Sequence, residues 1–220
     1  MEKKQLKLII FDMDGLLVDT EKVYYKGWHH AVKEHRLTVP DDMIAGWVGK
    51  GMYESMQELN QLTQDPERTR QIRESREQYF YQELEDGRVL TKPYAKEILE
   101  QTKEHAIVGL ATSTMEEKAR RVLEKLGLLN DIDYPVFGSD VDQLKPPAPD
   151  VYLEVLKRSK IDAEEAIAIE DSITGAQAAA GAGLSALLIP DSNFYFDQEN
   201  IPSNVLKVGK DLQIVRDLFQ

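Results

Sequence analysis

The chain has 220 residues, 42% of them hydrophobic, and a formal net charge of −12. That is apolar material enough for one large domain, or a core with a smaller companion, and it argues against global disorder. The acidic balance disfavours a nucleic-acid partner, and the absence of cysteine removes disulfides, thiolate metal sites and cysteine nucleophiles, which suits a cytoplasmic protein.

The first apolar run, Leu6–Phe11, is too short for a secretory leader or a membrane span, and Asp12 ends it at once; no membrane role is expected. A continuous run of this length suits a strand buried on both faces, as in parallel sheets. From about residue 17 to residue 90 the pattern is only helical. Tyr24, Trp28, Ala31, Val32 and His35 share one stripe. Asp65-Pro66 is a good helix start, followed by Ile72, Tyr79 and Phe80 on one face. Such a stretch is expected to be a helical subdomain inserted after the first strand, or else ordinary helices packed on the sheet.

From residue 91 onward, strands and helices alternate. Further strands are predicted at Ala106–Ala111, Tyr134–Phe137, Ala166–Ile169, Leu184–Ile189 and, more weakly patterned, Val205–Val208. Ala95, Ile98, Leu99 and Thr102 mark one intervening helix. Met115, Ala119, Val122, Leu123 and Leu126 mark a second, with a Thr114/Glu117 capping box and Gly127 as its left-handed stop. Tyr152, Val155 and Leu156 mark a third, and Ile173–Ala182 with Gly183 a fourth. This rhythm predicts an α/β fold, a doubly wound parallel sheet with right-handed crossovers.

The chemistry gathers at strand ends. The first strand runs into Asp12-Met13-Asp14-Gly15, and Ala166–Ile169 runs into Glu170-Asp171. In open parallel sheets ligands bind beyond the carboxyl ends of strands. Asp12 and Asp14 alone could simply cap a helix. With Glu170 and Asp171 at the same edge, four carboxylates would repel one another, and a hard divalent cation, Mg²⁺ above all, would relieve that. Thr112-Ser113-Thr114 at the end of another strand could cradle phosphate with hydroxyls and free N–H groups, although such residues are usually helix caps. Lys145 precedes a proline-rich segment that would fix its position; alone it would read as a surface charge.

These pieces together resemble the haloacid dehalogenase-like superfamily, in its beta-phosphoglucomutase-like branch of phosphatases and mutases. The matching stretches are Asp12–Thr20, Leu110–Ser113, Lys145-Pro146, Glu170–Ala176 and Ala178–Gly183. The resemblance implies a Rossmann-like core from residues 1–16 and 91–220, with a helical cap over 17–90 that supplies specificity. It implies Asp12 as nucleophile, Asp14 as general acid/base, and Thr112 with the Ser113 N–H as phosphate clamp. Lys145 would be the charge-neutralising lysine, and Asp12, Asp14, Glu170 and Asp171 the Mg²⁺ ligands.

Two departures stand out. After the third strand, where the family has Lys-Pro-x-Pro-Asp, an extra residue gives Lys-Pro-Pro-Ala-Pro-Asp, beginning at Lys145. Where the family's mutases carry a cap histidine and an arginine, this chain has Tyr24 and, after Gly49-Lys50-Gly51, Met52. The expected activity is therefore hydrolysis of a small phosphorylated metabolite such as a sugar phosphate. Phosphoryl transfer between sugar hydroxyls is the alternative, and a silent phosphate-binding protein is one of another class. Glu21, Tyr24, Lys50, Trp47 and Arg76 are the substrate-contact candidates in the cap, though Trp47 also suits a cap core and Arg76 a solvated helix charge.

Overall fold

A computed structural model of the chain describes residues 6–48, 52–143, 147–191 and 196–219. The chain divides into two compact units, one of Met1–Val18 with Thr91–Gln220 and the other of Asp19–Leu90.

The first unit is built on a six-stranded sheet: β1 (Leu8–Phe11), β2 (Ile107–Ala111), β3 (Tyr134–Val136), β4 (Ala166–Glu170), β5 (Ser185–Leu188) and β6 (Val205–Val208). Every neighbouring pair is parallel, in the order β3-β2-β1-β4-β5-β6. β1 is central, and all four of its side chains are buried. It pairs Phe11 with Leu110 on one side and with Ile169 on the other. The chain winds one way from β1 to β3 and the other way from β4 to β6. The point of reversal lies between β1 and β4, and open parallel sheets bind ligands beyond the carboxyl edge at such a point.

The strands sit close to their expected limits; β1 begins at Leu8 and β4 extends to Glu170. Among the described residues four α-helices belong to this unit, numbered after those of the helical unit. α5 (Ala95–His105) buries Ala95, Ile98, Leu99 and Thr102, and α6 (Glu116–Lys125) buries Ala119, Val122 and Leu123. α7 (Asp150–Ser159) buries Tyr152 and Val155. α8 (Ile173–Gly181) is made mostly of small residues, and Ala176, Ala178 and Ala179 join Ala166 and Ala168 in one core cluster. Small side chains on both surfaces bring helix and strand close together, which draws the start of α8 toward the end of β4.

One helix start differs from the sequence reading. Thr114 does not cap α6. The N-cap is Met115, with no side-chain cap, and Met115 is exposed instead of lying on the buried stripe. Gly127 does take the left-handed conformation expected of a stop, at φ 69°.

The second unit comprises α1 (Thr20–Glu34), α2 (Asp41–Trp47), α3 (Met52–Thr63) and α4 (Pro66–Glu85). Asp65 caps α4, accepting from the N–H groups of Glu67 and Arg68 at 3.0 and 3.2 Å, with Pro66 in the first turn. Its core is Trp28, Ala31, Val32, Ile44, Trp47, Leu59 and Ile72. Trp47 is core rather than a ligand contact: its ring lies 5.0 Å from that of Trp28, and its Nε1 donates to Glu58 at 2.8 Å. Arg76 is not solvated. It is buried, with its guanidinium 4.7 Å from both the Tyr24 and Trp28 rings and paired with Glu77, so it works as internal packing.

The chain leaves the first unit at Val18 and re-enters it at Thr91, and these residues form an antiparallel bridge. The next residue, Lys92, donates its N–H to the Leu17 carbonyl at 2.9 Å. Its ammonium reaches the buried Asp191, beyond β5, at 2.7 Å. Leu17 and Val18 are fully buried in this unit, whereas the sequence reading began the helical insertion at residue 17.

Candidate active site

The site residues stand at the carboxyl edges of β1, β2 and β4. The Asp12 N–H donates to the Ile169 carbonyl at 3.0 Å, so the first residue beyond β1 is held against the end of β4. The chain then turns sharply. Gly15, at φ 84°, takes a backbone conformation that side chains resist, and its N–H donates to the Val18 carbonyl at 2.9 Å. The turn carries Asp14 away from the strand beside Asp12.

Asp12, Glu170 and Asp171 each offer a carboxylate oxygen, and these oxygens lie within 4.8 Å of one another. Asp12 keeps a strip of accessible surface while protein surrounds it on the other sides. Burial, then the charges of Glu170, Asp171 and Asp14, push its carboxyl well above the usual carboxylate range. Burial also raises Glu170, partly offset by hydrogen bonds from Tyr152 and Ser172. Three converging acidic oxygens fit a small hard cation that takes oxygen ligands. Mg²⁺ fits this donor set, with Asp12, Asp171 and Glu170 as the residues to hold it.

Asp14 makes a contact that its sequence did not suggest. The Thr114 hydroxyl donates to its Oδ2 at 2.7 Å, while its Oδ1 is buried without a hydrogen-bond partner among the described residues. In sequence Thr114 reads as a helix cap or as part of a phosphate cradle; in the structure its hydroxyl holds an aspartate from another strand end. Thr112 is buried, and its hydroxyl accepts the Thr114 N–H at 3.1 Å. Ser113 between them is exposed. One short turn thus carries the Thr112, Ser113 and Thr114 hydroxyls, and Thr114 ties it to Asp14.

The second residue missed in the sequence is Tyr152. Its hydroxyl, in the core behind β4, donates to Glu170 Oε1. The helical pattern marked it only as an apolar position of α7. Among the remaining candidates, Glu21 and Tyr24 lie on α1, half-buried, with Tyr24 stacked on Phe80 at 5.1 Å. Lys50 and Lys145 lie outside the described residues.

The sequence matches the haloacid dehalogenase-like hydrolase family over residues 9–189. It is 30% identical over 187 residues to a phosphorylated carbohydrates phosphatase of Thermotoga maritima, covering 83% of this chain and 84% of that protein. It is 25% identical over 191 residues to the beta-phosphoglucomutase of Bacillus subtilis, covering 83% and 82%. In structure it resembles a crystallised Thermotoga maritima protein assigned as a beta-phosphoglucomutase, with a TM-score of 0.78 and 26% identity over 97% of this chain and 99% of that one. Among the described residues no helix is long and apolar enough to cross a membrane. The chain is an enzyme of the haloacid dehalogenase-like hydrolase family, in its beta-phosphoglucomutase-like branch.

Proposed function

We propose that this enzyme is a Mg²⁺-dependent phosphatase of small phosphorylated metabolites, sugar phosphates foremost, working through an aspartyl phosphate on Asp12. The observation that carries the reading is the convergence of Asp12 with Glu170 and Asp171 at the end of a buried strand. The similarity to a phosphatase of phosphorylated carbohydrates supports the substrate class.

In this reading an Asp12 carboxylate oxygen attacks phosphorus, and the bond to the substrate oxygen breaks. Asp14, protonated, gives that leaving oxygen its proton, then takes one from the water that attacks the aspartyl phosphate. Phosphate leaves and Asp12 is restored. Thr112 and the Ser113 N–H hold the phosphoryl oxygens, and Lys145 is assigned to neutralise their charge. Bound Mg²⁺ supplies further neutralisation of the transferring group, the larger part of what such a reaction needs. Thr114 holds Asp14 by one oxygen and leaves the other to exchange the proton. Glu21, Tyr24 and Lys50 are assigned to substrate selection.

The testing experiment is a phosphate-release screen over phosphorylated metabolites with Mg²⁺. Turnover is expected on sugar phosphates, lost in excess chelator and restored by Mg²⁺. Calcium is expected to inhibit, because its looser and larger shell misplaces the nucleophile. Full activity in chelator would end the metal reading. The mutase alternative, favoured by similarity to the Bacillus subtilis enzyme, predicts dependence on a bisphosphorylated sugar. Tyr24 and Met52 stand where that activity's histidine and arginine would be, and independence of any such activator is expected.

A further inference from the structure

Glu170 is held more tightly than a solvent-exposed metal ligand would be. It is the last residue of β4 and is buried. Its Oε1 accepts the Tyr152 hydroxyl. Its Oε2 is approached by the Ser172 N–H at 3.5 Å and the Ser172 hydroxyl at 3.3 Å. Its fourth side is the bare backbone of Gly175, where an added Cβ would overlap the carboxyl group. The side chain has one place to be, facing Asp12 and Asp171.

Tyr152 is the unusual member of this cradle. It is 1% exposed, and its neighbours in the core are Val136, Val155, Ala168 and Ala176. Phenylalanine would fill that volume without bringing a hydroxyl out of water, which costs free energy unless the hydroxyl is bonded. Here the hydroxyl is bonded: it donates to the Glu170 carboxylate, which can only accept.

We propose that Tyr152 is a positioning residue for the divalent cation: from α7, on the face of β4 that carries Ala166 and Ala168, its hydroxyl sets the Glu170 carboxylate toward Asp12 and Asp171. It touches neither metal nor substrate and acts through Glu170. The inference rests on the Mg²⁺-dependent reading of the site.

The test is Tyr152→Phe in the full chain, with Mg²⁺ binding to metal-free protein followed by calorimetric titration and by the Mg²⁺-induced rise in Tm. The dissociation constant for Mg²⁺ is expected to rise about tenfold, the scale of one lost hydrogen bond to a charged group. kcat at saturating Mg²⁺ should change much less, and the metal-free Tm should stay close to wild type. Glu170→Gln and the double variant complete a cycle. If Tyr152 acts through Glu170, adding Tyr152→Phe to Glu170→Gln has little further effect; a merely structural role would give additive losses. Wild-type affinity in Tyr152→Phe, or additivity in the cycle, overturns the proposal. Wild-type protein that binds no Mg²⁺ at millimolar concentrations overturns the metal reading itself, and this inference with it.

Discussion

Asp12→Asn is expected to lose turnover by about a thousandfold or more while its metal-free form melts at a higher temperature than wild type. The loss follows from the nucleophile: an amide has no anionic oxygen to attack phosphorus, and no other carboxylate stands at the end of β1 in the same place. The gain follows from electrostatics. Burial, then Glu170, Asp171 and Asp14, raise the Asp12 carboxyl well above its usual range. The folded state therefore binds that proton more tightly than the unfolded chain does. Between the ordinary and the raised value, stability falls as pH climbs, and above both values the full penalty remains. Asparagine removes the penalty, so at pH 7 without metal its Tm should exceed wild type by roughly 2–4 °C. Millimolar Mg²⁺ should narrow or reverse the order, because a ligand that binds only the folded state stabilises wild type more. Paired phosphate-release and melting measurements check both halves. A tenth of wild-type rate in Asp12→Asn would remove Asp12 from the nucleophile's role.

Gly175→Ala is the second large effect. Gly175 lies in the first turn of α8, where its N–H donates to the Ser172 hydroxyl at 3.0 Å. Helix propensity alone would favour alanine there by about 1 kcal/mol. The neighbouring carboxylate decides otherwise, since the new methyl would overlap the Glu170 head group. The end of a side chain can move, so the fold should survive. Glu170 can move only by breaking its bonds to Tyr152 and Ser172 and leaving the acidic cluster. Mg²⁺ affinity is expected to fall by about ten- to a hundredfold, with activity at low Mg²⁺ falling alongside and partly recovering at high Mg²⁺. An unchanged Mg²⁺ titration would mean that Glu170 has room to rearrange without cost.

The fold was largely readable because parallel strands buried on both faces leave unbroken apolar runs. Leu8–Phe11 and Ala166–Ile169 could hardly be anything else, and the acidic residues that follow them mark the sheet edge directly. The unread parts depend on meetings between distant residues. Thr114 precedes a helix, and a threonine there looks like a cap whichever group it bonds; its real partner, Asp14, is in another βα turn. Tyr152 fits the apolar spacing of α7 because its ring is apolar, and spacing says nothing about where a hydroxyl points. Arg76 has an ordinary helix-surface neighbourhood in sequence, and only the meeting of α1 with α4 supplies the Tyr24 and Trp28 faces that bury it. Trp47, equally suited to a core or to a ligand contact by sequence, is settled as core by the Trp28 ring and by Glu58.

The paired exit and re-entry at Val18 and Thr91 bear on how such a chain can change over time. The ends of the excursion are fastened side by side by main-chain pairing, and Lys92 further anchors the re-entry to Asp191, all within the sheet-bearing unit. Once the ends are fixed, the entropy of closing the excursion grows only logarithmically, about 0.6 kcal/mol for each doubling of its length. Whole helices can then be gained, lost or exchanged between those two residues at little cost to the sheet. A lineage can thus rewrite the inserted segment many times over while the acidic edge, fixed by β1 and β4, stays as it is.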